Sequence, residues 1–386
     1  MSFTPYGKQS ITTQDIESVI NVLKSDWLTQ GPVIEAFEKS IAEYCGVKYA
    51  VAVSSATAAL HIACMAANLK SGDIVWTTPN TFVASANCAL YCGADVDFVD
   101  IDNKTYNISI DELEQKLAKA KKKDKLPKAI IPVHFAGQSC EMERIAELSK
   151  HYGFIVLEDA SHAIGGSYKN RKIGSCYFSD MTVFSFHPVK IITTGEGGMV
   201  LTNQEELYNK LIRLRTHGIT RDYDFMNEYH GPWYYQQIEL GYNYRITDIQ
   251  AALGLSQLKR LDEFVERRHM LAERYTKYLK ELPLVLPWQH PDNYSAFHLY
   301  VIRLISNKIS KSRREIFEEL RSAGIGVNVH YIPVHTQPYY QKLGFQWGDY
   351  PQAEEYYSEA LTLPLYYDLT IDEQDYVIKT IKEVIT

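Results

Sequence analysis

Basic charge is the first thing this chain lacks. Its 40 Lys and Arg are outweighed by 47 Asp and Glu, for a formal net charge of -7. A nucleic-acid surface therefore has no electrostatic support. Cysteine is scarce and scattered. Cys45, Cys64, Cys88, Cys92, Cys140 and Cys176 form no CxxC pair. They predict reduced, buried thiols in a cytoplasmic protein, not a disulfide framework. Long apolar runs are also missing. The richest stretch, YAVAVSSATAALHIACMAANL, is broken by Ser, Thr, His and Asn, so no bilayer span and no membrane partner are expected. The opening MSFTPYGKQS lacks the basic-then-apolar pattern of a signal peptide. There is no HExxH motif, and His134, His330 and His335 make no ligand set, so no metal is expected. Internal repeats and low-complexity linkers are absent. The Lys119–Lys125 run reads as a solvated helix end.

What remains is an ordinary globular composition in a chain of 386 residues, 46% apolar and 23% charged, enough for two domains around a large core. The first half alternates short apolar strands with amphipathic helices. A helix capped by Thr13 (DIESVINVLKS) and a second that stops at Gly46 come first. Strands YAVAV, DIVWTT, VDFVDI, KAIIPVH, FIVLED, MTVFSF and GGMVLTN follow, with helices between most of them. This rhythm predicts an α/β fold with a mostly parallel sheet covered on both faces. Such sheets bind ligands outside the carboxyl ends of their strands. Arg221 to Glu239 is polar and aromatic with little period, and reads as a long, functional loop. One or two long helices then lead to a smaller C-terminal α+β domain. The division expected is an N-terminal segment, 1–25, contributing to the site, a large domain, 26–260, and a small domain, 261–386.

Lys190 carries the chemistry. It lies in SFHPVKIITTGEGG, where a strand enters a Gly-rich turn beside Phe184, Phe186 and Val189. Apolar neighbours lower a lysine's pKa and make the amine nucleophilic. Asp159 ends an apolar strand and, if buried, needs a positive partner; it serves equally as a helix cap. Ser55, Ala56 and Thr57 open a helix in SSATAAL, where free N–H groups and the helix dipole favour a phosphate; an ordinary N-cap has the same look. An amine, an acid and an anion-binding helix start are the three things pyridoxal 5'-phosphate (PLP) requires: a lysine for its aldehyde, a carboxylate for its ring nitrogen and a cup for its phosphate. Ser185, in SFHPVK, offers a further hydroxyl to the phosphate.

EDASHA around Asp159, SFHPVK and TTGEGG around Lys190, and GYNYRITDIQAALG around Asn243 resemble the PLP-dependent sugar aminotransferases of the DegT/DnrJ/EryC1/StrS family. The resemblance runs almost the whole chain and implies a fold-type I aminotransferase. It implies that Phe82 stacks on the pyridine ring, that His162 contacts the cofactor near its ring oxygen, and that Asn243 reaches the cofactor phosphate of a neighbouring subunit, making a homodimer with shared sites. The family motif usually has Gly where Ala56 stands. A related dehydratase group carries His where Lys190 stands, so Lys190 argues for amine transfer. Tyr6, the run Asp26, Trp27, Leu28 and Thr29, and the run Asn328, Val329, His330 and Tyr331 resemble substrate-contact segments of one branch; Ala56, Ser185 and Asn243 are expected to touch substrate too. That branch aminates UDP-4-keto-6-deoxy-N-acetyl-L-altrosamine on the route to pseudaminic acid, with L-glutamate as donor. Read without the resemblance, each of these segments is only a polar loop. A relative acting on a perosamine- or bacillosamine-type 4-keto sugar, or a non-catalytic PLP-binding member, are the alternatives.

Overall fold

The computed structural model describes residues 3–385. The first described residues lie against the C-terminal part of the chain. Thr4 bridges Ile325, and the Leu365 amide donates to the Tyr6 carbonyl at 3.0 Å. Helix α1 (Thr13–Leu23) is capped by Thr12, one residue before the expected Thr13. The reason is a reciprocal capping box: Thr12 Oγ1 accepts from the Asp15 amide, and the Asp15 carboxylate accepts from the Thr12 amide. Asp15 is fully buried, and its carboxylate also accepts from Ser256, Gln257 and Arg260, which ties α1 to the helix Asp248–Leu258. Helix α2 (Pro32–Cys45) ends at Gly46, whose φ of 69° supplies the left-handed cap.

Strands β1 (Tyr49–Val53), β2 (Ile74–Thr77), β3 (Asp95–Phe98), β4 (Ala129–Ile130) and β5 (Ile155–Asp159) build the main sheet with two later strands, Met181–Ser185 and Gly198–Thr202. Across the seven-stranded sheet the order is β1, Gly198–Thr202, Met181–Ser185, β5, β4, β2, β3. Pairing is parallel from Met181–Ser185 through β3; Gly198–Thr202 runs antiparallel to both its neighbours. Both late strands are buried at every residue, as expected for strands covered on two faces. KAIIPVH contributes only Ala129–Ile130 as strand, because Pro132 cannot donate to a ladder; Val133 rejoins as a bridge to Asp159.

Helices α3 (Ala56–Ala66) and α4 (Ala84–Tyr91) pack on one face of the sheet, with Leu60, Ile62, Ala86 and Ala89 fully buried or nearly so. The other face buries Phe37, Phe184, Phe186 and Phe264. A separate core gathers Leu271, Tyr275, Tyr300, Leu320, Leu363 and Ile381 around a small antiparallel sheet, Leu284–Val285, Tyr300–Leu304 and Ala360–Leu363. The helices Asp248–Leu258 and Leu261–Leu279 connect the two regions.

The 221–239 segment is not wholly irregular. Ile219–Thr220 pairs with Gln236–Gln237, and Tyr223–Phe225 forms one 3-10 turn. All six cysteines are free and only Cys92 is not buried. Among the described residues no helix is long and apolar enough to cross a membrane, and no His/Cys/Asp/Glu group is placed to hold a metal.

Candidate active site

Three carboxyl-terminal strand ends open on one cavity of about 620 Å³, within the size range of small-molecule sites. Lys190 lies on its wall. The turn that carries it is pinned at Phe186, whose amide donates to the Gly197 carbonyl at 2.9 Å while its carbonyl accepts from Thr194 N at 3.0 Å. Phe184 and Phe186 are fully buried beneath. Burial lowers the Lys190 amine from 10.5 to about 8, with Asp159 pulling the other way. At that value about a tenth of the amine is neutral and nucleophilic at pH 7.

Asp159 closes β5 on the cavity wall and is buried. Its Oδ2 accepts from Ser85 Oγ at 2.6 Å and its Oδ1 from the Ser161 amide at 3.1 Å. The cavity thus sets a carboxylate beside Lys190.

The start of α3 forms the third wall. Ser55 is its N-cap and accepts from the Ala58 amide at 3.1 Å. The first amides of a helix, here those of Ala56 and Thr57, have no acceptor within it. Ser55, Ala56, Thr57 and Ser185 all line the cavity. A Cβ on Gly198 would sit 2.6 Å from Ala56 N and from Ser55 C and O. Glycine there lets the adjoining strand pass directly under the cup. These residues fit PLP: an anion cup, a depressed lysine and an anchored carboxylate share one cavity.

The opposite wall is imidazole and phenol. His162 is buried, and its Nδ1 accepts from the Ala136 amide at 3.3 Å. Burial and the nearby Lys190 charge hold its pKa well below the usual value, so it is neutral with its proton on Nε2. That proton is directed at Tyr331 Oη, 3.0 Å away. Tyr331 consequently presents its own hydroxyl proton elsewhere. Asn328 Oδ1 accepts from the Val329 amide at 2.9 Å, which leaves its NH₂ to face His330 Nε2 at 3.4 Å. His330 Nδ1 lies 2.8 Å from Thr362 Oγ1, and burial lowers this imidazole to about 3. Tyr6 packs its ring 5.2 Å from that of His330 and lines the same wall.

Phe82 borders the cavity but lies just before α4 rather than on its first turn, since the helical backbone begins at Ala84. It is 58% exposed and its ring stands 6.3 Å from that of Tyr331. Val329 turns its side chain toward the small core instead of the cavity. Asp26, Trp27, Leu28 and Thr29 are exposed and outside the cavity; Trp27 borders a separate groove of about 340 Å³ with Val33, Leu255 and Lys259. Asn243 is likewise exposed and off the cavity in a single chain. It is paired with Thr216, a few residues before Thr247, which bridges Thr29. Thus 26–29 and Asn243 hang from one stretch of backbone.

Sequence reasoning passed over Ser85, Thr81, Ser161 and His298. The i, i+3 spacing of Phe82 and Ser85 was the available signal for one of them. His298 lines the cavity with its ring 4.5 Å from that of His162, and nothing in HLYVIRL distinguishes it from a strand residue.

Residues 9–382 match the model of the DegT/DnrJ/EryC1/StrS aminotransferase family. The spore coat polysaccharide biosynthesis protein SpsC of Bacillus subtilis is 42% identical, over 99% of this chain and 97% of its own. The UDP-4-amino-4,6-dideoxy-N-acetyl-beta-L-altrosamine transaminase of Campylobacter jejuni is 39% identical, over 98% and 97%. Among solved structures, Helicobacter pylori PseC, an aminotransferase involved in the biosynthesis of pseudoaminic acid, superposes with a TM-score of 0.90 at 33% identity, covering 100% of this chain and 99% of that one. Streptococcus pneumoniae Spr1654 in its PLP form gives 0.88 at 31% identity, over 99% and 98%, and is also known in a pyridoxamine phosphate (PMP) form. Fold, lysine cavity and these likenesses define a PLP-dependent sugar aminotransferase. The chain belongs to the DegT/DnrJ/EryC1/StrS aminotransferase family.

Proposed function

We propose that this enzyme moves an amino group from L-glutamate to C4 of UDP-4-keto-6-deoxy-N-acetyl-L-altrosamine, in a route to pseudaminic acid. The supporting observation is the far wall of the cavity. Tyr6 from the start of the chain and His330 and Tyr331 from near its end meet there around the cavity that holds Lys190, with Asn328 set against His330. The Campylobacter and Helicobacter relatives named above favour the same branch.

PLP, when bound, supplies an aldehyde that carries the amino group and a ring that takes up electrons. Lys190 would take the proton from the donor's Cα and later return one at sugar C4. Asp159, held at both oxygens, would pair with the ring nitrogen. Ser55, Ala56, Thr57 and Ser185 bind the phosphate. Tyr331, its hydroxyl oxygen engaged by His162, offers its proton to an oxygen in the cavity. Asn243 and residues 26–29, exposed side by side, serve the cavity of a second subunit in a homodimer. Binding of the remote nucleotide then positions the keto carbon.

A second reading keeps the reaction and makes another nucleotide-linked 4-keto sugar the acceptor; SpsC, named for spore coat polysaccharide biosynthesis, is as similar to this chain as the altrosamine transaminase is. A panel of UDP-, dTDP- and GDP-4-keto sugars offered with glutamate, with products identified by mass and NMR, decides between them. The L-altro UDP sugar should turn over fastest, and sugars stripped of nucleotide should react poorly. Faster turnover of the D epimer or of a GDP sugar would overturn the branch assignment.

A further inference from the structure

We propose that Thr81 and Ser85 form a two-hydroxyl relay that orients the Asp159 carboxylate, making both of them positioning residues for amine transfer. The proposal rests on the reading that Asp159 meets the ring nitrogen of PLP.

Both hydroxyls are buried, at 2% and 0% exposure, so their bonds are shielded from water. Ser85 Oγ stands 2.6 Å from Asp159 Oδ2. An ionised carboxylate only accepts, so the Ser85 proton goes to Asp159. A hydroxyl has a single proton. Thr81 Oγ1, 2.7 Å from Ser85 Oγ, must therefore donate to Ser85. The Phe82 carbonyl lies farther from Ser85 Oγ, at 3.3 Å, and competes weakly against a charge-assisted bond. The direction of the relay is thus fixed, from Thr81 to Ser85 to Asp159.

The second carboxylate oxygen accepts from the Ser161 amide at 3.1 Å. With a donor on each oxygen the carboxylate plane cannot rotate, and the remaining lone pairs are left for the cavity. Phe82 and Ser85 are three residues apart, and the Ser85 amide donates to the Phe82 carbonyl at 3.2 Å. One turn of chain therefore carries both a ring bordering the cavity and the anchor of its carboxylate. The charge of Asp159 acts on Lys190, beyond the strand Met181–Ser185, and on Tyr331, from the loop after Val329; His162, His298 and His330 complete the cavity wall. Glu158, next on β5, is held by His134, Ser179 and Thr182 and lies outside the cavity.

The test uses the full-length enzyme in Ser85→Ala, Ser85→Thr and Thr81→Val forms, with Asp159→Asn as control. Two quantities are read: the rate of the single-turnover reaction with glutamate, followed by loss of visible absorbance, and the affinity of the cofactor-free protein for PLP. Ser85→Ala should lower each about tenfold, the worth of a hydrogen bond to a charged group. Ser85→Thr should restore both, and Thr81→Val should lower both by a smaller factor. The same Ser85→Ala change added to Asp159→Asn should cost little more, because the relay acts only through the carboxylate. A loss of about tenfold in that background as well would overturn the relay, since loss of packing does not depend on the Asp159 charge. If Ser85→Ala fails to fold, Thr81→Val, matched in shape and one bond removed from Asp159, decides by the same comparison: a loss confined to the Asp159 protein supports the relay and an equal loss in both overturns it. Wild-type turnover in Asp159→Asn would instead remove the Asp159 reading itself.

Discussion

Replacing Lys190 by methionine should make the cofactor-free protein more stable at neutral pH, and the gain should vanish in alkali. Burial takes this amine from 10.5 to about 8. A base whose pKa falls on folding binds its proton more weakly in the folded state, so the unfolded chain gains from protonation. The folding penalty is therefore complete below about pH 8 and disappears as pH rises through the unfolded value, about 10.4. Each tenfold change in protonation corresponds to about 1.4 kcal/mol, which sets the full penalty at about 3 kcal/mol. Lys190 borders an open cavity and is only partly buried, so solvent screening reduces the expected gain to about 1–2 kcal/mol. Methionine keeps an unbranched stem of similar length without the charge. Urea unfolding of both proteins, followed by tryptophan fluorescence at neutral pH and above about pH 10.4, measures the difference. Equal stability at neutral pH would refute burial as the source of the low pKa. A gain that persists unchanged in alkali would refute it too, since that signature belongs to packing.

Two further outcomes are expected. Gly198→Ala should push its strand away from the start of α3, because the new Cβ would meet the Ser55 and Ala56 backbone at 2.6 Å; PLP binding should weaken and stability should drop by about 1–3 kcal/mol, and normal affinity in a titration would show that the close approach is dispensable. Mixing inactive Lys190→Ala subunits with subunits disrupted at Asn243 should restore one working site per mixed dimer, and no recovery after verified subunit exchange would argue against a shared site.

Much of the cavity was legible because its parts follow apolar strands. Asp159 and Lys190 announce themselves by chemistry placed at strand ends, and SSATAAL by small residues opening a helix. Direction was not legible: GGMVLTN reads the same whether its strand runs parallel or antiparallel, and only the short return after Lys190 turns it back. The helix cap was misplaced by one residue because Thr12 and Thr13 are chemically identical, and only the bond to Asp15 separates them. The Asn328–Tyr331 run was read as one unit, yet its backbone sends Val329 to the small core and His330 and Tyr331 to the cavity. Ser85 and Thr81 stayed hidden because their partner is 74 residues from Ser85 in sequence.

The strand order also works as a gauge. Neighbouring strands lie about 4.8 Å apart. The helix start proposed as the anion cup follows β1, the lysine follows a strand two places over, and Asp159 ends the next one. Cup and amine are thus set on strands about 10 Å apart and cup and acid on strands about 14 Å apart, before any side chain is placed. Hydrogen bonds along the sheet hold those intervals, so loops can vary without altering them. The pocket measures the length of its occupant against the pitch of the sheet, and a molecule too short to span the interval forfeits one of its anchors however well it satisfies the others.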